Sequence, residues 1–501
     1  MKLPPLEDSA DFVIVGTGAG GATAARVLSA AGLSVIMVEE GPHLRPEQRE
    51  RGLIAAMGQS MRDMATLSTS GSAPFPLLAG RCVGGSTAIN SGIIWRLPES
   101  VRAEWARDFG LGELLDERGL GDTFDVLDRE LGVGEVAADV RGGNARLMQR
   151  GAEALGLPGQ IIKRNAPDCK GRARCLQGCP DGARQSMDVS YVPRALADGA
   201  RLLAGVRATG VLTEAGRATG IEGERLGQDK RPTGQQVRLH ARRGVIVAAG
   251  ALHTPVLLRR SGLRGQVGDH YQAHPGVAVV GRFSEQVGMG FGATQAYQVP
   301  MFDRGFKLES ISLPPELLAA RLPGVGEEWQ RLLRNLDYFA QWASITRVRA
   351  TGRIRPGLIS GVHVRYEPGP EDVARIRAGA ATLVRMMFAA GAEEVYPGVA
   401  RLPEVFQSPD QAARIEDAGV RRQDFHLMAS HHFASARASD DPRHGAVDST
   451  LQSHDLPGLY VMDAATLPTA TGVNPQHTIM AVVMRAAEKL ANSERPAITA
   501  A

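Results

Sequence analysis

A glycine-rich turn near the start of the chain has the spacing of a dinucleotide-binding loop. Glycines at 16, 18 and 21 match the pattern G-x-G-x-x-G, directly after an apolar run and before a helical pattern. Glycines at these positions let the backbone approach a pyrophosphate, and the helix N-terminus supplies N–H donors. Glu39 ends the next apolar run, where a carboxylate accepts ribose hydroxyls and repels a 2′-phosphate. We therefore expect Gly16, Gly18, Gly21 and Glu39 to bind a dinucleotide. This pattern alone does not distinguish FAD from NAD.

A second glycine-rich segment, residues 79–98, carries a more specific pattern. It reads Gly80-Arg81-x-x-Gly84-Gly85-Ser86-Thr87-x-x-Asn90. Together with the C-terminal residues described next, it resembles the glucose–methanol–choline (GMC) family of FAD-dependent oxidoreductases over nearly the whole chain. The resemblance implies that Arg81, Gly85, Ser86 and Asn90 contact FAD. It also implies that Val206 lies in the strand that contacts the adenine.

The resemblance assigns the chemistry to the C-terminal part. His431 and Asn474 stand where the family has its proton acceptor and the partner that holds the substrate oxygen. His432 is adjacent, but neighbouring strand residues point to opposite faces, and the motif frame selects His431. The resemblance further implies that Asp463 contacts the cofactor and that Pro475 opens a helix aimed at the flavin. The stretch departs from the family pattern at Ala434, Ala438 and Ser439, which leaves the local packing and pocket shape open.

Alcohol oxidation removes a proton from oxygen and a hydride from carbon. A histidine with a pKa near neutral suits the first task, and an amide side chain can hold the oxygen in line. We therefore expect FAD-dependent oxidation of an alcohol, with His431 taking the hydroxyl proton and the hydride passing to flavin N5. A lyase of the same family that keeps FAD as structure, and a non-catalytic FAD-binding protein, are the alternatives.

Three of the four cysteines lie within eleven residues, at positions 169, 175 and 179. The spacing, with Pro180 following, is compatible with an iron–sulfur cluster. It is similar to that of a GMC dehydrogenase subgroup in which a three-iron [3Fe-4S] cluster lies beside the flavin, so Cys169, Cys175 and Cys179 are its candidate ligands. Three buried thiols, or one disulfide and a free thiol, are the alternatives.

Hydrophobic periodicity places these motifs in an α/β architecture. A Rossmann-type FAD-binding domain is expected from residues 1–100, 195–285 and 440–501. A substrate-binding domain with an antiparallel sheet and helices is expected from residues 286–439. Residues 101–194 form a connecting excursion that contains the cysteine-rich segment. Within these domains, helices are predicted at 371–391 and 475–491.

Composition limits the partners. The 501 residues carry a formal charge of +3, with 43% hydrophobic and 22% charged residues, which argues against a nucleic-acid partner. The N-terminal residues do not resemble a signal peptide and no run predicts a transmembrane segment, so a cytoplasmic location is expected. The apolar character of residues 286–345 favours a hydrophobic small-molecule alcohol or a sugar-like glycoside as substrate, and the candidate electron acceptors are oxygen, a quinone and a cytochrome.

Overall fold

The computed structural model describes residues 3–358 and 361–493. Residues 1–2 and 494–501, at the two ends of the predicted FAD-binding segments, lie outside the described residues. Within the described ranges the strands are β1 Leu6–Val15, β2 Val35–Glu39, β3 Thr69–Ser70, β4 Gly134–Glu135, β5 Gln160–Ile161, β6 Lys163–Arg164, β7 Arg201–Ala204, β8 Val206–Glu214, β9 Arg217–Leu226, β10 Pro232–Val247, β11 Gln272–Ala273, β12 Gly276–Arg282, β13 Tyr297–Met301, β14 Phe306–Ser310, β15 Phe339–Thr346, β16 Arg353–Pro356, β17 Val362–Arg365, β18 Glu394–Tyr396, β19 His432–Phe433 and β20 Leu459–Val461.

The α-helices lie between these strands along the chain. They are α1 Ala19–Ala30, α2 Leu53–Ser60, α3 Glu99–Phe109, α4 Glu117–Glu130, α5 Gly142–Ala154, α6 Tyr191–Ala197, α7 Thr254–Arg260, α8 Pro315–Ala319, α9 Gly326–Arg334, α10 Pro370–Ala389, α11 Ala413–Glu416 and α12 Gln476–Ser493. Both predicted helices are present as α10 and α12.

The main sheet has the mixed α/β character that the sequence predicts. Its order is β7-β2-β1-β10-β9-β8, with β20 added beside β10. Strands β7, β2, β1, β10 and β20 are parallel, with Ile14 paired to both Met37 and Ile246. Strands β8 and β9 extend the sheet antiparallel to β10. Helices α1, α6 and α12 pack together beside this sheet.

The second large sheet is antiparallel, in the order β18-β12-β15-β14-β13-β5. Helix α10 covers one face, where Gly379 lies so close to the Ser344 side chain that a Cβ would overlap it. On the other face the alternate residues Gln341, Ala343 and Ile345 of β15 line a large cavity. The predicted domain boundary at residue 285 falls after β12, which pairs within this antiparallel sheet, and β5 joins it from the predicted connecting excursion.

Parallel strands bring distant parts of the chain to one edge of the main sheet. The segments that follow β1, β2, β10 and β20 all emerge at the carboxyl ends of these strands. The backbones approach closely there: a Cβ on Gly20 would lie 1.8 Å from the Met462 carbonyl oxygen, and one on Gly16 would lie 2.2 Å from that of Ala248. In contrast, a Cβ on Gly18 would meet no protein atom within 4 Å, because Gly18 faces the cavity.

Alanine at Gly20 and at Gly18 should therefore have different effects. We expect Gly20→Ala to lower the free energy of unfolding by roughly 1–3 kcal/mol or more, because the Met462 backbone must move. Gly18→Ala should cost the FAD-free protein much less stability, because Gly18 is only the N-cap of α1, but it should weaken FAD binding, since the new methyl group projects into the cavity. Urea unfolding of the FAD-free proteins and titration with FAD measure both effects. Equal losses of stability in the two variants would contradict this assignment.

Candidate active site

One cavity of about 1350 Å³ extends from the carboxyl edge of the main sheet to the antiparallel sheet. It is larger than the few hundred to about 1,000 Å³ typical of pockets for small ligands, so it has room for a dinucleotide and a substrate. Most of the residues expected to bind FAD line it: Gly16, Gly18, Glu39, Arg81, Gly85, Ser86, Asn90, Val206, Asp463 and Pro475. Gly21 does not, because it packs against the Gly16 carbonyl and allows α1 to approach the loop.

The Glu39 carboxylate is held at the end of β2 by the dinucleotide loop. Thr17 Oγ1 donates to Glu39 Oε2 over 2.8 Å, and the Gly41 N–H donates to Oε1 over 2.9 Å. Burial raises its pKa. The adjacent Glu40 instead forms ion pairs with Arg62, Arg81 and Arg207, which line the same end of the cavity. Asp63 lines the same end, and Arg207 also pairs with Glu224, so carboxylates balance the three guanidinium groups there.

Several predicted cofactor residues have their side chains fixed by protein contacts. Asp463 accepts from Thr254 Oγ1 and from the N–H groups of Gly250 and Ala465, and burial raises its pKa. Asn90 Nδ2 donates to Gln476 Oε1 over 2.7 Å, at the start of α12. These side chains therefore organise the strand ends and the helix N-terminus that face the cavity. Arg81 contributes a buried Nε that has no hydrogen-bond partner in the described structure.

A short antiparallel ladder places two histidine rings together. Strand β11 pairs with β19, and the next residue pair outward is His274 and His431. The His274 N–H donates to the His431 carbonyl over 3.2 Å, and the two Nδ1 atoms are also 3.2 Å apart. His431 Nε2 lies 3.5 Å from Asn474 Nδ2 at the start of α12. The structure thus brings together the predicted pair, His431 and Asn474, and adds His274, which sequence reasoning missed.

His432 has a different environment. Its Nδ1 is 2.9 Å from the Tyr271 hydroxyl and its Nε2 is 3.1 Å from the Leu78 carbonyl oxygen. The carbonyl can only accept, so Nε2 carries the proton and Nδ1 accepts from Tyr271. Both nitrogens are then occupied. This geometry favours His431 over His432 as the group that acts on a substrate.

The neighbours of His431 favour opposite positions for its proton. The Gly472 N–H donates to His274 Nε2 over 3.0 Å, so His274 carries its proton on Nδ1 and directs it at His431 Nδ1. That contact favours a His431 proton on Nε2. Lys307, however, donates to Asn474 Oδ1, so Asn474 Nδ2–H faces His431 Nε2 and favours a free lone pair there. The His431 tautomer therefore depends on both neighbours.

A buried charged cluster holds Asn474 in this orientation. Lys307 of β14 is fully buried and contacts Asn474 Oδ1, Gln298 Oε1 and Glu309. Glu309 lines the cavity and accepts a 2.7 Å hydrogen bond from Gln295 Nε2. Burial lowers the pKa of Lys307, and the Glu309 carboxylate opposes that shift. Lys307 and Glu309 lie two residues apart on β14, and this pair of opposite charges on the same face of one strand was the signal available in the sequence.

The structure changes the expected acid–base strength of His431. The sequence predicts a pKa near neutral, but removal from water and the Lys307 charge lower the pKa of His431 to about 3. Its imidazole is consequently neutral throughout the ordinary pH range. It is ready to accept a proton, although it is a weaker base than an exposed histidine.

The three clustered cysteines do not line this cavity, although Leu176, next to Cys175, does. Cys169, Cys175 and Cys179 are free thiols around a separate space of about 20 Å³, roughly enough for one water molecule. Arg164 lies against two of them, with Nη2 3.1 Å from the Cys175 sulfur. Over residues 3–358 and 361–493, no group of three or more His, Cys, Asp or Glu side chains is placed to hold a metal ion. The arrangement does not fit an iron–sulfur cluster.

Two family models, both described as GMC oxidoreductase, match residues 10–276 and 347–482. An uncharacterised GMC-type oxidoreductase of Mycobacterium tuberculosis is 35% identical over 497 residues, covering 97% of this chain and 76% of the relative. A long-chain-alcohol oxidase of Arabidopsis thaliana is 27% identical over 515 residues, covering 96% of this chain and 68% of the relative. Formate oxidase of Aspergillus oryzae, a structure studied for modification of its FAD, superimposes with a TM-score of 0.76 at 16% identity, covering 97% of this chain and 99% of that one. The last likeness shows the fold alone.

No helix in the part of the chain that the structure describes is long and apolar enough to cross a membrane.

Buried neutral histidines predict a specific loss of stability in acid. Burial lowers the pKa of His253 and His431 to about 3, that of His432 to about 4, and that of His274 well below 6.5. The unfolded chain binds protons at these groups below about pH 6.5, whereas the folded protein does not. Stability should therefore be highest above pH 6.5 and decline as the pH falls from 6.5 to about 3. Each histidine contributes a slope of up to about 1.4 kcal/mol per pH unit.

Urea unfolding at pH 7 and pH 5, with FAD in excess, measures this slope. The free energy of unfolding should be lower at pH 5 by several kcal/mol. An equal or higher value at pH 5 would show that these rings are protonated in the folded protein.

Proposed function

Because this chain belongs to the GMC oxidoreductase family, we propose that it uses FAD to oxidise an alcohol to a carbonyl compound. The proposal rests mainly on one observation: the side chains of His431 and Asn474 lie next to each other in the cavity that the dinucleotide loop also lines. The family and its FAD-containing structural neighbours support FAD as the cofactor. The relation to a long-chain-alcohol oxidase, together with the apolar outer cavity, favours a hydrophobic alcohol.

The residues present fit FAD. Gly18 offers an open backbone surface at the N-terminus of α1, and Glu39 lies where a ribose hydroxyl would donate. The start of α12, with Asn474 and Pro475, brings positive dipole to the other end of the cavity, where a reduced flavin would carry negative charge. FAD held by these residues would supply the acceptor for the hydride.

The protein's own residues handle the hydroxyl group. Asn474 Nδ2–H, fixed by Lys307 on the opposite side of the amide, donates to the alcohol oxygen and orients it. His431 accepts the hydroxyl proton at Nε2 in the tautomer that the Asn474 amide favours and the His274 contact opposes. The hydrogen bond between His274 and His431 must therefore be lost when His431 takes this tautomer. The apolar wall excludes water and strengthens these polar contacts.

The proposed mechanism uses no iron–sulfur cluster, and it differs from the alternative functions in a measurable way. The three cysteines do not fit a cluster, so the reaction is proposed to run through FAD alone. A lyase or a non-catalytic FAD-binding protein would show no reduction of its flavin by substrate. Measuring how fast oxygen, a quinone or a cytochrome reoxidises the reduced flavin would identify the electron acceptor.

Substitution of the adjacent histidines tests the proton-accepting role. We expect His431→Ala to retain FAD and to slow anaerobic flavin reduction by a long-chain primary alcohol by at least about 100-fold, because no group remains to take the proton. His432→Gln is the matched control, since that ring is occupied by Tyr271 and Leu78. It should bind FAD and be reduced at close to the native rate. Native-rate reduction of His431→Ala would contradict the assignment.

A further inference from the structure

The part of the cavity away from the dinucleotide loop is largely apolar and is lined by one arginine. Its walls there come from the chain around α8, from β12 and from the segment before β19, and they include Val277, Leu313, Leu317, Ala320, Phe425 and Leu427. Arg321, directly after α8, lines the same region. A guanidinium group among aliphatic side chains is costly unless an anion or several acceptors compensate it.

Arg321 is poorly compensated by the protein. Its Nη2 donates to the Ala278 carbonyl over 2.6 Å, but its Nε is buried without a hydrogen-bond partner in the described structure. The ion pairs formed by the described residues include none with Arg321, and burial lowers its pKa. The arginines at the dinucleotide end of the cavity differ, because they share the Glu40 carboxylate. Arg321 thus has donor capacity and charge available for a ligand.

The position of Arg321 sets a distance from the reacting end. Ala278 follows His274 by four residues, so their Cα atoms lie at most about 13 Å apart at 3.3 Å per residue. His274 contacts His431 and Arg321 contacts Ala278, so a group bound at Arg321 lies on the order of 10 Å from His431. His426, an exposed residue that also lines the cavity, is near enough for the Arg321 charge to lower its pKa. Arg321 therefore lies towards the mouth.

We propose that Arg321 binds the carboxylate of a long-chain ω-hydroxy acid whose hydroxyl end reaches His431. This inference rests on the proposed alcohol oxidation and specifies its substrate class. The chain enters hydroxyl first, its methylene groups cover the apolar wall, and its carboxylate stays at the mouth, where water still reaches it. A planar carboxylate matches the donor geometry of the guanidinium group.

Two ligands of equal length separate the carboxylate from the alkyl chain. The substrates are ω-hydroxydodecanoate and dodecanol, and dodecanoate serves as a ligand that cannot be oxidised. Binding of dodecanoate is followed by the change in flavin absorbance, which requires no turnover. In the native holoenzyme, we expect ω-hydroxydodecanoate to have a lower KM than dodecanol.

Arg321→Gln removes the charge and keeps much of the side-chain volume. It should raise the KM for ω-hydroxydodecanoate and the Kd for dodecanoate by at least about tenfold, and leave kcat/KM for dodecanol within about twofold. Arg321→Lys should retain part of the binding, which distinguishes loss of charge from loss of folding. Arg334→Gln, an exposed position on α9, is the matched control and should change neither constant.

The outcomes separate this inference from the proposed function. If dodecanol reduces the flavin but dodecanoate does not bind, or if Arg321→Gln affects both substrates equally, the carboxylate site is wrong and alcohol oxidation stands. If dodecanoate binds to the native protein and not to Arg321→Gln, while neither alcohol reduces the flavin, the anion site stands and the proposed oxidation is wrong.

Discussion

The carboxyl ends of the parallel strands β1, β2, β10 and β20 meet at one edge of the main sheet, and their backbones approach too closely there for a side chain. Gly16 and Gly20 lie against the carbonyl groups of Ala248 and Met462, which follow β10 and β20. This contact joins the N-terminal part of the chain to its C-terminal part. It fixes the start of α1, whose N-terminus faces the cavity, and it fixes the turn at Asp463 that precedes α12 in the chain.

The arrangement of His431 and Asn474 depends on a second constraint, the buried charge of Lys307. The antiparallel sheet delivers this ammonium group to Asn474 and Glu309, and Asn474 in turn directs its amide N–H at His431. Removing one member would leave an unpaired charge or an inverted amide. The polarity of the active site is therefore set by a strand that carries no residue of the family motif, and the motif residues depend on it for their orientation.

The sequence predicted the parts of the site that are local in the chain. The glycine-rich turn, Glu39, the second loop and the helix at α12 are each contiguous patterns with a single physical explanation. His274, Lys307 and Arg321 could not be found in this way, because their importance comes from strand pairing over long distances. The near-neutral pKa expected for His431 was likewise changed by burial and by Lys307, which only the folded structure brings near. The cysteine spacing suggested a cluster, but the fold places Arg164 against two of the thiols.

The central claim is that an alcohol carbon delivers hydride within this cavity. The most direct measurement is rapid anaerobic mixing of the native holoenzyme with dodecanol and with dodecanol deuterated at the reacting carbon. The oxidised flavin absorbance should disappear in a single turnover, and deuterium at the reacting carbon should slow this disappearance. Persistence of the oxidised spectrum while the alcohol is consumed would contradict it, as would persistence with no consumption of any alcohol tested.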